Sequence, residues 1–152
     1  MSFGRVPIRE IIVSRVLPEA VRDLRGRVLR QGMPAEAAIF EGDDEPTTIH
    51  LGAFGENDLI GCATLFRRDW KGEPAWQLRG MAVEPDLQKS GVGAAILEEL
   101  DRMVAASEFS QQAWCNARII AKGFYEHHGW KVESELFEIP TAGPHHVMSK
   151  RL

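Results

Sequence analysis

The sequence predicts a single α+β domain in which helices pack on one mixed β-sheet. The chain has 152 residues, an ordinary size for one domain that buries a core of its own. Hydrophobic residues make up 44% and charged residues 26% of it, which is typical of a globular protein. The hydrophobic pattern has the two-residue period of strands in some segments and the helical period in others. These two kinds of segment do not alternate strictly. This order favours a mixed sheet over a doubly wound parallel one.

The first part of the chain predicts a strand, a helix and a hairpin. The predicted elements are a strand at 7–13, a helix that begins at Pro18, a second short helix at 34–41, and hairpin strands at 47–54 and 59–66. β-Branched residues indicate the first strand, and proline is favoured at the first position of a helix. Gly32 and Pro34 end that helix. The hairpin turn at 55–58 has the sequence Gly-Glu-Asn-Asp.

The rest of the chain predicts four more strands and two more helices. They are strands at 76–83, 111–116, 130–139 and 145–152, a helix that begins near Gly93, and a helix at 119–128. Residues 84–86, Glu-Pro-Asp, break the first of these strands. An apolar stripe at 96–104 indicates that the following segment is an amphipathic helix. Gly129 is suited to end the last helix.

Charge and composition limit the partners and the location that we expect. The net charge is −4 and the pI about 5.7, which argues against a nucleic-acid-binding protein and slightly favours a cationic small-molecule partner. The first residues include no apolar region of the kind found in signal peptides, and no stretch reaches a membrane-spanning length. We therefore expect a cytoplasmic protein with no membrane partner.

Two cysteines, Cys62 and Cys115, lie in apolar segments that are predicted strands. Neither belongs to a Cys-x-x-Cys motif or stands at a ligand spacing from a histidine, so we expect no metal site. Reduced thiols in the core are the expected state of both.

The segment most informative about chemistry is 78–94, which combines a strand end, a short break, a glycine turn and an amphipathic helix. Glycines at positions 91 and 93 let the backbone approach a ligand without interference from a Cβ. The first N–H groups of the helix lack intrahelical partners, and the helix dipole favours an anion beside them. The segment therefore predicts a phosphate or pyrophosphate site, to which Lys89 adds a positive charge.

Two common phosphate-binding motifs do not account for this segment. Gly91 and Gly93 supply the Gly-x-Gly of a dinucleotide fingerprint, but Ile96 occupies its third small position. A Walker loop is excluded as well, because no Gly-Lys-Ser/Thr follows at the required spacing. On these residues alone, a plain strand–turn–helix connection with two glycines is the alternative interpretation.

A resemblance to a known family separates these alternatives. The run Gln-Lys-Ser-Gly-Val-Gly at 88–93 resembles the Q/R-x-x-G-x-G/A signature of the GNAT superfamily of N-acetyltransferases. Residues 121–130 resemble a second signature of that family, A-x-x-F-Y-x-x-x-G-F, with Trp130 in place of the common Phe. Residues 24–34 and 137–145 are similar to a group of small GNAT proteins, and the order of elements fits along nearly the whole chain.

The resemblance implies the GNAT fold, a central mixed and mostly antiparallel sheet with helices on both faces. Strands 76–83 and 111–116 would splay apart and admit acetyl-coenzyme A. Tyr125, the single tyrosine, would lie near the sulfur as a catalytic proton donor. The cofactor-binding residues implied in this way are Met81, Ala82, Val83, Gln88, Lys89, Ser90, Gly91, Val92, Gly93, Ala94, Asn116 and Phe124.

The implied activity is direct transfer of an acetyl group from acetyl-coenzyme A to an amine of a small molecule or peptide. The amine has to be neutral to attack, yet the central strand has no glutamate of the kind that serves as base in some GNAT enzymes. Two alternatives stay open: a sensor or subunit that binds acyl-coenzyme A without turnover, and a dimeric structural protein with a vestigial pocket. A homodimer is compatible with the family.

Several polar residues have two interpretations each. His145 follows a Gly-Pro turn and is either a base or substrate contact, or a surface residue at the start of a strand. Gln77 and Arg79 share one face of strand 76–83, and they either meet a substrate or face solvent or a helix. Residues 43–45, Asp-Asp-Glu, either bind a cationic amine or form a solvated loop; we favour the loop.

Overall fold

One eight-stranded sheet organises residues 10–152, the part of the chain that the computed structural model describes. Its strands are β1 (Ile12–Arg15), β2 (Ile49–Gly55), β3 (Asp58–Arg67), β4 (Trp76–Val83), β5 (Gln112–Arg118), β6 (Lys131–Val132), β7 (Phe137–Ile139) and β8 (Gly143–Arg151). Their spatial order is β1-β2-β3-β4-β5-β8-β6, and β7 also pairs with β8. Only β4 and β5 are parallel neighbours among these strands. The predicted mixed, mostly antiparallel sheet is confirmed.

Three α-helices accompany the sheet in the described residues: α1 (Pro18–Leu29), α2 (Val92–Ala105) and α3 (Lys122–His127). Short 3-10 turns occur at Ala35–Ala38, Pro85–Leu87 and Ile119–Ala121. Helix α1 begins at the predicted proline. The expected short helix at 34–41 is only a 3-10 turn, and the expected helix at 119–128 is divided into a 3-10 turn and α3. None of these helices combines the length and apolarity needed to cross a membrane.

Most predicted strand bounds agree with the structure, and β4 has the predicted bounds of 76–83. The first strand begins at Ile12 and not before, while positions 7–9 of that prediction lie outside the described residues. The last strand begins at Gly143, two residues earlier than expected.

The predicted strand at 130–139 is wrong, because β6 and β7 are separate. Ser134 lies between them. Its Oγ accepts a hydrogen bond from the backbone N–H of Val147 at 2.8 Å and donates one to the backbone carbonyl of Glu135 at 2.8 Å. The Ser134 side chain thus takes the place of a backbone carbonyl as the partner of Val147 in β8, and the backbone ladder between β8 and the preceding segment is interrupted there.

Helices α1 and α2 cover opposite faces of the sheet. The stripe of α2 packs against the apolar side chains of one face, which form the larger core cluster with Ala63 and Leu65 of β3. Val21 and Leu24 of α1 pack with Cys62 on the other face. Because neighbouring side chains of a strand point to opposite faces, these assignments also fix the side from which each cleft residue approaches.

A buried polar cluster ties α1 to the sheet. Arg25 of α1 is fully buried, and its guanidinium donates to both carboxylate oxygens of Asp43 at 2.7 and 3.0 Å and to Oγ1 of Thr64 at 2.7 Å. His50 bonds the same Thr64 hydroxyl and the backbone carbonyl of Asp43, each at 2.9 Å. The interpretation of 43–45 as a solvated loop or amine site is wrong for Asp43, since its charge is buried and matched by Arg25.

Burial opposes ionisation of the Asp43 carboxyl, but hydrogen bonds from Arg25 and from the backbone N–H of Phe40 outweigh it, so the pKa of Asp43 lies below its ordinary value. A carboxyl with a lowered native pKa stabilises the fold fully above its unfolded pKa, about 3.9, and this stabilisation is lost as the pH falls through the native pKa.

We predict that Asp43→Asn lowers the free energy of unfolding at pH 7 by about 3–5 kcal/mol, because it leaves the Arg25 charge buried without a counter-ion. Asp44→Asn is the matched control: that side chain is 78% exposed and lies 3.6 Å from Arg22, so a change below about 0.5 kcal/mol is expected. Urea titration measures both. The difference between Asp43→Asn and the parent should shrink below about pH 4; equal losses at positions 43 and 44 would contradict the role of the pair.

Candidate active site

The central feature of the site is the early parting of β4 and β5. These parallel strands pair only at Trp76 with Ala113 and at Gln77 with Trp114. Strand β5 stays with β8 through seven consecutive residue pairs, four of them beyond that point, while β4 follows β3. Between the separated strands lies a cleft of about 710 Å³. The splayed pair predicted from the family resemblance is therefore present.

A β-bulge redirects β4 where the cleft opens. Thr64 of β3 lies opposite Arg79, but Cys62 lies opposite Ala82, so β4 has one residue more than β3 in this interval. Gly80 takes a φ of +68° there, and a Cβ on it would come within 3.0 Å of Nε of Arg25. Glycine is therefore required at position 80 both by the left-handed backbone and by the close guanidinium.

The edge of β4 that faces the cleft offers backbone hydrogen-bonding groups. The N–H of Glu84 donates to the carbonyl of Ile60 in β3 at 2.9 Å. Because N–H groups alternate in direction along a strand, those of Met81 and Val83 point to the opposite edge, toward the cleft. The carbonyl of Val83 accepts a bond of 3.5 Å from Nε2 of Gln88. An extended ligand with amide groups could pair with this edge.

The N-terminus of α2 closes one end of the cleft and is suited to an anion. Gly91 caps the helix with a φ of +91° and no side-chain hydrogen bond, and the first turn has no acidic residue. The first helical bond runs from the N–H of Ala95 to the carbonyl of Gly91 at 3.0 Å. Within residues 10–152, the N–H groups of Val92, Gly93 and Ala94 have no acceptor. Three parallel donors and the helix dipole together favour a phosphate.

Helix α3 places two aromatic residues beside that turn. The ring of Phe124 lies over Gly93, where a Cβ would come within 3.0 Å of its Cζ. Tyr125 is buried and packs edge-to-face on Phe124 and on Trp130, with ring centroids 5.4 Å apart in each pair. Burial raises the pKa of the Tyr125 phenol above its ordinary value, so it stays protonated at neutral pH.

Eleven of the thirteen residues predicted for the site line the cleft. They are Met81, Ala82, Val83, Gln88, Lys89, Gly91, Gly93, Ala94, Asn116, Phe124 and Tyr125. Val92 and Ser90 do not line it. Val92 is buried in the core under α2, and Ser90 is exposed. At Val92 only the backbone N–H is available to a ligand, whereas the N–H of Ser90 already donates to the carbonyl of Leu87 at 3.2 Å.

The α1 face of the cleft has a different character. Arg30 and Phe40 line it together with Gln77, Arg79 and Arg118. Sequence reasoning left the roles of Gln77 and Arg79 open and missed the other three. Arg30 and Phe40 lie on the connection between α1 and β2, far from either signature, and no local pattern marks them as neighbours of β4.

His145 also lines the cleft and is buried. Its Nδ1 lies 2.7 Å from the backbone carbonyl of Gly143. Since a carbonyl only accepts hydrogen bonds, Nδ1 carries the proton in the neutral ring and Nε2 keeps a lone pair. His145 pairs in register with Arg118 of β5, so both lie on the α1 face. The neighbouring His146 points to the other face and bonds the carbonyl of Ser134 at 3.1 Å.

The two cysteines are not activated. Both are buried, and burial raises the pKa of each thiol to about 12. A thiolate nucleophile is therefore disfavoured at neutral pH. Among the described residues, no three side chains of His, Cys, Asp or Glu lie together as potential metal ligands.

The sequence matches known proteins along most of its length. Residues 46–132, more than half of the chain, match the family model described as Acetyltransferase (GNAT) domain. A protein of Bacillus subtilis (strain 168), the uncharacterized N-acetyltransferase YitI, is 32% identical over 146 residues. The matched region is 92% of this chain and 95% of that protein.

Solved structures share the fold at lower sequence identity. Escherichia coli ElaA has a TM-score of 0.78 at 18% identity, with 93% of this chain and all of that chain covered. An aminoglycoside 6'-N-acetyltransferase complexed with coenzyme A has a TM-score of 0.72 at 17% identity, with 92% of this chain and 96% of that chain covered.

Proposed function

We propose, from the premise that this chain belongs to the GNAT superfamily of N-acetyltransferases, that it transfers an acetyl group from acetyl-coenzyme A directly to an amine. Family membership establishes acyl transfer that depends on coenzyme A. Beyond this, we propose that the transferred group is acetyl, that the amine attacks the thioester directly, and that the residues named next take part in the reaction. Its main support is the cleft between β4 and β5, which has unpaired backbone donors on one side and polar side chains on the other.

The residues of the cleft fit coenzyme A. The free N–H groups at 92–94 are suited to hold the pyrophosphate, and Lys89 adds a positive charge beside them. The β4 edge at Met81 and Val83 is suited to pair with the amides of the pantetheine arm. Coenzyme A supplies the thioester that makes the acetyl group transferable.

We assign the proton transfers to two residues that line the cleft. His145 accepts a proton from the amine through Nε2, so that the neutral nitrogen attacks the carbonyl carbon. A C–N bond forms, the C–S bond breaks, and the Tyr125 hydroxyl donates a proton to the departing sulfur. The attacking nitrogen then loses a second proton, which passes through water to the Tyr125 oxygen, and His145 releases its proton to water, so both side chains return to their starting states. A backbone N–H of β4 near Met81 stabilises the charge that develops on the carbonyl oxygen.

The position of these residues also supports direct attack without a covalent acyl-enzyme. Tyr125 belongs to the core cluster on the α2 face, whereas His145 lies on the α1 face, so the two partners approach the open β4 edge from opposite sides. The thiols of Cys62 and Cys115, with pKa values of about 12, are poor nucleophiles at neutral pH.

Gly91→Val should weaken binding of coenzyme A by about 10-fold or more, because the branched side chain blocks the approach to the helix N-terminus. Gly72→Val is the matched control. Gly72 also has a positive φ, +75°, and a Cβ would have no neighbour within 4 Å at either position, so both variants should lose similar stability. Calorimetric titration should show unchanged affinity for Gly72→Val only; unchanged affinity in both would refute the assigned phosphate site.

Tyr125→Phe should lower turnover by roughly 10²-fold, since it removes the proton donor and keeps the ring. The affinity for acetyl-coenzyme A should stay nearly the same. Steady-state thiol release with an acceptor or surrogate amine, beside a cofactor titration, measures both quantities. Equal turnover would make Tyr125 a packing residue, and a large loss of affinity would make it a cofactor contact instead of an acid.

His145→Asn should lower kcat by roughly 10²-fold or more, in the range typical of a lost general base. His146→Asn is its control, because that side chain lies on the other face of β8 and bonds Ser134 outside the cleft. The same thiol-release assay compares the two. A similar loss of kcat in both variants would indicate that the substitutions act by destabilising β8. An unchanged kcat in His145→Asn would exclude His145 as the base.

A further inference from the structure

Three arginines on the α1 face of the cleft have no carboxylate partner. Arg79 and Arg118 make no side-chain hydrogen bond or ion pair within residues 10–152, and Arg30 donates only to the backbone carbonyl of Leu29 at 3.1 Å. Two arginines outside the cleft show the contrast, since Arg27 and Arg68 both pair with glutamates. The cleft arginines are half-buried, so their charges are only partly hydrated.

No described acidic side chain forms an ion pair with these three arginines, and Asp43, which pairs with Arg25, offsets only part of their charge. The described lining of the cleft contains no Asp or Glu, and residues 1–9 include none either. Burial lowers the pKa of Arg79, and the charges of Arg30 and Arg25 lower it further, against a smaller opposing effect of the Asp43 charge. Burial lowers the pKa of Arg30 as well, with Arg118 and Arg25 adding to the effect. Each charge is therefore placed where an anion would be bound strongly.

The arginines also lie close to one another. The guanidinium of Arg79 lies over the ring of Phe40 at 4.5 Å from its centroid, and that of Arg30 lies 5.1 Å from the same centroid. Arg118 is close enough to affect Arg30 and pairs in register with His145. One aromatic ring thus holds two of the cations, and the third adjoins the histidine that we assign as base.

These cations are separate from the phosphate site. Cys115 and Ala117 of β5 belong to the core on the α2 face, so alternation places Arg118 on the α1 face. Arg79 contacts Phe40, which lies on the α1 side as well. The free N–H groups of α2 lie across the sheet. A phosphate bound there would leave the three guanidinium groups without a counter-ion.

We propose that the acyl acceptor is an anionic amine, one that carries a carboxylate within a few bonds of its amino group, as a free amino acid does. The planar guanidinium of arginine matches a carboxylate with two parallel hydrogen bonds, and two or three such groups fix the direction from which the amine reaches His145. This inference rests on the proposed function as an acyltransferase. The local charge of the acceptor face is opposite to the net charge of the chain, so it disfavours polyamines and aminoglycosides.

The test compares amino acids with their carboxamides, which keep the amine and the side chain but remove the negative charge. Thiol release from acetyl-coenzyme A gives kcat/KM for each pair. We expect the acids to be better acceptors by roughly 10-fold or more. Arg79→Gln should remove most of this preference by lowering kcat/KM of the acids, with little change for the carboxamides and with unchanged affinity for coenzyme A. Arg30→Gln should act in the same direction.

Arg67→Gln is the matched control, since Arg67 also lies over an aromatic ring, Phe109 at 4.2 Å, but outside the cleft. It should keep the preference for acids. Carboxamides or polyamines that serve as well as amino acids would overturn the proposal, as would an Arg79→Gln enzyme that retains the full preference.

If none of the amines tested is acetylated, a binding experiment can still test the proposal. The protein saturated with coenzyme A would then be titrated with N-acetyl amino acids and their carboxamides. Preferential binding of the acids that is lost in Arg79→Gln supports the proposal, and equal or absent binding of both overturns it. Failure of the proposed function itself looks different, because the protein would then either not bind coenzyme A or bind it and release no thiol with any amine, acid or carboxamide.

Discussion

The structure depends on one constraint. Beyond Gln77, β4 has a backbone partner along one edge, β3, and none along the other. Strand β5 is held by β8 along its whole length and cannot follow β4, so the cleft-facing amides of Met81 and Val83 have no strand to pair with. Unpaired backbone groups inside a sheet are costly unless water or a ligand satisfies them. A ligand with amide groups would restore the missing ladder, and in this way a gap in the middle of a sheet can serve as a binding site.

The buried Arg25 connects the fold to this gap. Its guanidinium bonds Asp43 and Thr64 and lies against Gly80, where the bulge turns β4 away from β5. The ion pair that fixes α1 on the sheet thereby also fixes the point at which the cleft opens. It anchors Phe40 as well, since the Arg25 guanidinium lies 3.9 Å from the centroid of that ring. Phe40 in turn supports Arg30 and Arg79 on the α1 face of the cleft.

Local signals made much of the fold predictable, together with the part of the cleft that β4 and α2 form. Strand β4, the glycine turn and α2 are contiguous in sequence, so their period and their glycines suffice to place them. The arginines on the α1 face of the cleft could not be predicted in this way, because Arg30, Arg79 and Arg118 come from three distant segments. Asp43 was misjudged because composition does not reveal that a buried arginine is its partner. Ser134 divides a predicted strand through a side-chain hydrogen bond that apolar periodicity does not show.

Backbone amide NMR during titration with coenzyme A tests the central claim most directly, since it reports on each free N–H group separately. Our account expects the largest shift changes at Val92, Gly93 and Ala94, followed by Met81 and Val83 on the cleft edge of β4, while the amide of Ala82 on the β3 side changes much less. Saturable binding whose changes avoid both α2 and β4, or an absence of any change, would contradict the account.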